Sequence, residues 1–222
     1  MNSAIQYSRN IICKVTDLGV VRYQQAYQVQ KKALTKAIAQ ASCEIFLCEH
    51  CPVITLGRLS NENNILLDPK EVMKKGIEIL KVDRGGDVTF HTPGQLVVYP
   101  IFCLNYFGKD LKLFIFNLEQ VVIDLLGYFG ILASRIKGHT GVWVGPKKIA
   151  SIGIGVQKWV SFHGLALNVT THLKDFLIIK PCGLSVEMTS MENEAGKQFA
   201  MKDIKRQIVL SFKNIFNLEI LS

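Results

Sequence analysis

Cys182 stands between a proline and a glycine, Pro181-Cys182-Gly183, a setting that reads as a turn. A sulfur in such a turn is accessible and has room for an acyl group. A nearby ammonium would favour its thiolate, the nucleophilic form. Lys148 opens the run Lys148-Ile-Ala-Ser-Ile-Gly153 at the mouth of an apolar strand. Taken alone it reads as a solvated strand end. In Arg84-Gly-Gly-Asp-Val-Thr-Phe-His91 the paired glycines let a backbone pass close to a ligand. Arg84 adds a fixed cationic fork, and Thr89 and His91 add polar groups. The same residues also fit a glycine-rich hairpin with no ligand, and they match neither of the common glycine patterns that cradle phosphate. Ser161-Phe-His163-Gly-Leu-Ala-Leu-Asn168 places a histidine and an asparagine in another apolar strand, where a hydrogen-bonded core histidine is the ordinary explanation.

Other chemistry is poorly supported. Cys48-Glu49-His50-Cys51, with Cys43 upstream, has the look of half a metal site, but no second pair of closely spaced ligands follows. Core cysteines are the better reading, and no metal or cofactor is expected. Lys and Arg number 26 against 18 Asp and Glu, a net charge of +8 that favours an acidic partner. The basic residues are dispersed in short pairs such as Lys31-Lys32 and Lys147-Lys148, without zinc-finger spacing or a stacking motif, so nucleic acid is not expected.

The elements that must position these groups can be read from periodicity. The chain has 222 residues, 49% of them hydrophobic, enough to bury a substantial core in one domain spanning 1–222. No stretch approaches the roughly 18 uncharged apolar residues that cross a bilayer. The richest, 96–107, is interrupted by Pro100 and Asn105. The first fifteen residues lack a secretory pattern, and a cytoplasmic protein is expected. Asp17 is placed to cap a helix running to about Ala41, with Tyr23, Tyr27, Leu34, Ile38 and Ala41 on one stripe. Strands are expected over 44–49, 53–56, 77–83 and 96–102, with a short helix from Asp68-Pro69 to Gly76. A second long helix covers about 112–129, two β-rich stretches cover 141–156 and 159–169, and a last helix lies around 199–216. Strands in a central block with helices before, between and after them define an α+β domain, a central mixed sheet flanked by helices.

Taken together and in order, the motifs resemble one family closely, the octanoyl-[acyl carrier protein]:protein octanoyltransferases of lipoate biosynthesis, or lipoyl(octanoyl) transferases. The matching text is Glu49-His50-Cys-Pro52-Val-Ile-Thr55-Leu-Gly57-Arg58, then Arg84 to Gln95 running on to Tyr99-Pro100. Gly141-Val-Trp143-Val, Lys148 to Gly153, His163-Gly-Leu-Ala-Leu-Asn168-Val and Pro181-Cys-Gly183 complete it, so the resemblance spans roughly residues 45–183. It implies a fold shared with the catalytic domains of biotin and lipoate protein ligases. It also implies roles: Cys182 as the acyl-accepting nucleophile, and Lys148 as the lysine that lowers its pKa and assists proton transfer. Arg84, Gly85, Gly86, Asp87, Val88, Thr89, Phe90 and His91, with Ser151, Ile152 and Gly153 and with Gly164, Leu165 and Ala166, look like the segments lining an acyl pocket.

The implied reaction moves octanoyl from octanoyl-acyl carrier protein to Cys182 by thioester exchange. It then passes to a lysine on the lipoyl domains of 2-oxoacid dehydrogenases or the glycine cleavage H protein, with no ATP, metal or membrane, in a monomer. The alternatives of the same fold are a lipoate-protein ligase-like enzyme, which must hold ATP, and an octanoyl amidotransferase-like enzyme. Two positions depart from the family pattern. Thr92 replaces a usual glycine, so the loop there must use an ordinary φ or be strained. His172 replaces a usual aspartate and is given no role.

Overall fold

The computed structural model describes residues 11–180 and 186–221. In chain order its elements are β1 (Ile11–Val21), α1 (Tyr23–Gln40), β2 (Cys43–His50), β3 (Val53–Leu56), α2 (Pro69–Lys74), β4 (Glu78–Lys81), β5 (Val88–His91) and β6 (Gln95–Phe102). There follow α3 (Leu111–Tyr128), β7 (Ser134–Ile136), β8 (His139–Val144), β9 (Lys147–Gln157), β10 (Val160–Asn168), α4 (Met191–Ala195), α5 (Met201–Phe216) and β11 (Leu218–Leu221). The strands make an eight-stranded sheet in the order β11-β1-β2-β6-β10-β9-β8-β7 and a three-stranded sheet in the order β4-β3-β5. β1 runs parallel to both of its neighbours, while β2, β6, β10, β9 and β8 alternate in direction, so the large sheet is mixed.

Every residue of β6 and β10 is buried, because helices cover both faces of the sheet at its centre. Alternation sorts their side chains. Leu96, Val98 and Phe102, with Leu165 and Leu167, meet α3 and α5 on one face. Val97, Tyr99 and Ile101, with Phe162 and Ala166, meet α1 on the other. α1 rests there on Ala26, Ala33 and Ala37 with Leu34, small residues that bring the helix close to the sheet. A third core of Ile54, Leu56, Val72, Val88, Phe90 and Phe176 sits under the small sheet. Among the described residues no helix is long and apolar enough to cross a membrane.

The expected helix from Asp17 begins instead at Tyr23. Residues 11–21 are a strand with Ile11 and Cys13 buried, and their β-branched run fits a pleated surface better than a helix. Asp17 caps the amide of Gly19 at 2.9 Å within a break in the register between Asp17 and Val20. The strand of 218–221 that pairs with β1, and the short β7, were not expected. Asp68 does cap α2, accepting from the Lys70 amide at 2.7 Å, and α3 buries Phe114, Leu118, Val121, Val122 and Leu125 as its periodicity requires. Thr92 keeps an ordinary φ; the left-handed conformation falls to Gly94, at φ 85°.

Phe102 is the hub of the larger core, its ring within 5.4–6.2 Å of Phe107, Phe114, Phe212 and Phe216. Phe102→Ala is expected to destabilise the fold by about 3–5 kcal/mol, measured by equilibrium unfolding in denaturant. A loss under about 1 kcal/mol would contradict this packing.

Candidate active site

The segment Arg84–Val88 crosses from the small sheet onto β9 of the large one, and the space beneath it is a cavity of about 50 Å³. Arg84 is buried and clamped on β3. Its Nε donates to Thr55 Oγ1 at 3.2 Å, and Nη2 donates to the Thr55 carbonyl at 2.6 Å and to Oγ1 at 2.9 Å. On the other side the Gly85 amide donates to the Ile154 carbonyl at 2.8 Å. The backbone leaves no room for a side chain at Gly57 and little at Gly153. A Cβ on Gly57 would lie 2.3 Å from the Gly86 oxygen, and one on Gly153 would lie 3.0 Å from the Gly85 oxygen. The Asp87 carboxylate faces its own loop, accepting from the Asn61 and Val88 amides and from Asn64 Nδ2.

Of the residues expected in an acyl pocket, all but Phe90 line this cavity. Phe90 is the correction. Strand alternation turns Thr89 and His91 toward the cavity and Phe90 away, into the small-sheet core, edge-on to Phe176 at 6.0 Å. Four residues that sequence spacing did not mark as pocket residues complete the lining: Tyr23, Val97, Tyr99 and His163. Tyr23 lies 140 residues from His163 and only the tertiary fold joins them, at 3.2 Å between the hydroxyl and Nδ1.

Lys148 is not a solvated strand end. It is 4% exposed at the start of β9, three residues before Ser151, with Nζ 5.3 Å from the centre of the Trp143 ring. Its backbone is bracketed by residues 187–189: the Lys148 amide donates to the Glu187 carbonyl at 2.8 Å and its carbonyl accepts from the Thr189 amide at 2.9 Å. Cys182, the expected nucleophile, lies outside the described residues. Of the other cysteines, Cys13, Cys43, Cys48 and Cys103 are buried and Cys51 is exposed. Among the described residues no group of three or more His, Cys, Asp or Glu side chains is placed to hold a metal ion.

The cavity floor carries a histidine network whose hydrogen bonds assign the tautomers. His50 donates from Nδ1 to the Val21 carbonyl at 2.9 Å, so its Nε2 accepts from the Tyr99 hydroxyl at 2.6 Å. Gln95 gives its amide hydrogens to Asn168 Oδ1 and the Phe90 carbonyl, so its Oε1 accepts from His91 Nδ1 at 2.7 Å. Asn168 in turn donates to the Thr189 carbonyl at 2.9 Å, tying His91 to the chain beside Lys148. His163 Nε2 donates to Asp83 Oδ1 at 2.8 Å. Burial pushes His50 and His163 down to about 4; it also pushes His91 down to about 3, helped by repulsion from His50. Burial works to raise the Asp83 carboxyl, but the bonds from His163 and Tyr27 outweigh it and hold the group below its usual value. The imidazoles are therefore neutral near pH 7, so beside the Arg84 guanidinium the cavity is rich in oriented, uncharged dipoles.

Comparison with known proteins agrees with this architecture. The family model described as the lipoyl protein ligase A/B catalytic domain matches residues 22–213. The protein named octanoyltransferase of Caldanaerobacter subterraneus subsp. tengcongensis is 40% identical over 93% of this chain and 91% of its own length. Among solved structures, a bi-partite lipoate protein ligase of an archaeal lipoylation system, from Thermoplasma acidophilum, superposes with a TM-score of 0.72 at 14% identity, over 96% of this chain and 86% of that one. The biotin protein ligase of Aquifex aeolicus does so with a TM-score of 0.53 at 13% identity, over 92% and 69%. The last two likenesses concern the fold.

The neutral histidines make stability depend on pH with a definite sign. Each is unprotonated in the fold down to about pH 3 to 4 but binds a proton near 6.5 when the chain is unfolded. Between those values the unfolded chain holds more protons, so the stabilisation is complete above about pH 6.5 and declines as pH falls toward 4. The depressed Asp83 carboxyl adds a loss in the same direction, but only below its unfolded value of 3.8. The unfolding free energy is expected to drop steadily from pH 7 to pH 5, by up to about 1.4 kcal/mol per pH unit for each histidine, and less steeply in His91→Gln. A flat profile over that range would contradict burial of neutral imidazoles.

Proposed function

The chain belongs to the octanoyltransferases that carry the lipoyl protein ligase A/B catalytic domain, an acyltransferase family, and on that premise we propose how it moves an octanoyl group in protein lipoylation. The donor is octanoyl-acyl carrier protein. The Cys182 thiolate attacks the thioester carbonyl, a carbon–sulfur bond to Cys182 forms, and the carrier's thiolate leaves with a proton from the Lys148 ammonium. A lysine amine of an acceptor lipoyl domain then attacks the Cys182 thioester. The amide bond forms, the Cys182 thiolate departs, and the surplus amine proton passes to Lys148.

The observation that carries this reading is the alignment of the cavity with β9. The strand that carries Lys148 as its second residue supplies Ser151, Ile152 and Gly153 to the cavity wall, and Gly164, Leu165 and Ala166 face them from β10. An apolar channel beside a buried ammonium suits a medium-length acyl tail with its reacting carbonyl at the lysine end. Burial of the tail supplies up to roughly 0.8 kcal/mol per methylene. Exchange between two thioesters is nearly balanced in energy, and formation of the final amide drives the sequence forward without ATP. The net charge of +8 supports encounter with an acidic carrier protein. Buried free thiols fit the reducing environment of the cytoplasm, the compartment we assign.

The test is intact-protein mass spectrometry after mixing the enzyme with octanoyl-acyl carrier protein in the absence of ATP. One octanoyl adduct is expected on the native enzyme, discharged when a lipoyl domain is added, and none on Cys182→Ser. Lys148→Ala should fold but acylate on the order of a hundredfold more slowly or worse. Full acylation of the serine variant, or lipoylation only with ATP, would sink the mechanism and favour ligase chemistry.

A further inference from the structure

Tyr23 is the only described residue that lines both the acyl cavity and a second, more open hollow of about 540 Å³. That hollow is walled by Tyr27, Arg58, Leu80 and Asp83 among others. The partition stands at the end of the cavity remote from the lysine. His163, to which Tyr23 is bonded, sits opposite Ile154 in the register of β9 and β10, next to the Gly153–Gly164 pair. Lys148 to Gly153 is five residues of strand, about 16 Å at roughly 3.3 Å per residue. The ring is held from several sides. Its hydroxyl donates to His163 Nδ1 at 3.2 Å, and the His163 ring is fixed at Nε2 by Asp83 at 2.8 Å. Tyr27 adds to the anchor, donating to both Asp83 oxygens at 3.0 and 3.1 Å while stacking on His163 at 5.7 Å and 8°. The backbone of His163 is in the left-handed region at φ 55°, an outlier for a side chain of this size, and its amide is tied to Gln30 Oε1 at 2.8 Å. Strain retained inside a buried strand marks a position where geometry matters more than local stability.

We propose that Tyr23, anchored through His163 to Asp83, is a closed gate at the methyl end of the acyl cavity that sets the length of the chain the enzyme accepts. The inference rests on the acyl-transfer reading of the cavity. An eight-carbon tail stops against the ring. A longer tail must push the ring toward the second hollow, and this breaks a buried hydrogen bond and leaves His163 Nδ1 without its donor. The unmade bond outweighs the gain from one or two further buried methylenes. Asp83 and His163 are positioning residues: they act on the acyl chain through Tyr23.

Binding of free octanoate and free decanoate, measured by titration calorimetry, tests the gate without requiring turnover. Transfer of octanoyl and decanoyl groups from carrier protein is followed in parallel. The native protein is expected to prefer the shorter acid by roughly tenfold or more. Tyr23→Phe keeps the ring and removes the anchor, and Asp83→Asn loosens it from behind. Each should bring the two acids within roughly threefold, chiefly by strengthening decanoate binding, with the transfer KM for decanoyl falling more than its kcat changes. Tyr23→Leu, which opens the partition, should go furthest. If both acids bind the native protein and Tyr23→Phe keeps its preference, the hydroxyl anchor is overturned and the ring is a plain wall. If preference stays unchanged in Tyr23→Leu as well, the gate itself is overturned. Failure of the native protein to bind either acid would overturn the acyl reading of the cavity and the gate with it.

Discussion

The grip of the Arg84 guanidinium on Thr55 is the contact on which the site's architecture turns. Three of its hydrogen bonds go to one residue of the small sheet, while the next residue's amide is bonded to β9 of the large sheet. One dipeptide thereby spans two sheets that otherwise pack through separate cores. The planar guanidinium, with donors in a fixed fork, can address a carbonyl and a hydroxyl of the same residue at once; a lysine has no such geometry. The glycines on either side follow from it, since a Cβ has no room at Gly57 and little at Gly153 where the bridge crosses. The cavity is what remains beneath that bridge.

Beside the Arg84 guanidinium, the interior of the cavity is organised by oriented dipoles. Three histidines stay neutral because burial penalises their protonated forms, and each has one nitrogen committed to a fixed acceptor. The chain of bonds from His91 through Gln95, Asn168 and Thr189 to the backbone of Lys148 also gives the pocket floor and the lysine strand a common frame. Disturbing that frame at Asn168 would disturb both.

Much of this was legible in the residue order, for identifiable reasons. The strand 96–102, the stripe of α3 and the Asp68 cap follow from short-range periodicity and local hydrogen bonding, which a linear sequence carries directly. The motif segments of the cavity wall were legible because each is contiguous. What escaped reading depends on long-range placement. Asp17 has the chemistry of a helix cap, but pairing of 11–21 between two parallel neighbours overrode it. Phe90 lay in a motif full of cavity residues, and only the pleat of β5 sends it the other way. Lys148 looked like a solvated strand end because nothing local reveals that residues 187–189 fold back over it. Tyr23, met first as one member of a helical stripe, had no reason to be joined with His163 until the sheet was assembled.

The parallel pairing of β1 with β11 carries a consequence for how the molecule is made. Ile11 lies opposite Leu218 and Lys14 opposite Leu221, contacts that join segments separated by roughly two hundred residues. β2 can find β6, and β9 can find β10, while the chain is still growing. The edge of the large sheet has to wait until α5 and its following strand have left the ribosome. Pairings of such long sequence separation are slow, and until they form one edge of β1 keeps its amides and carbonyls unsatisfied. During synthesis that exposed edge is open to pairing with another chain.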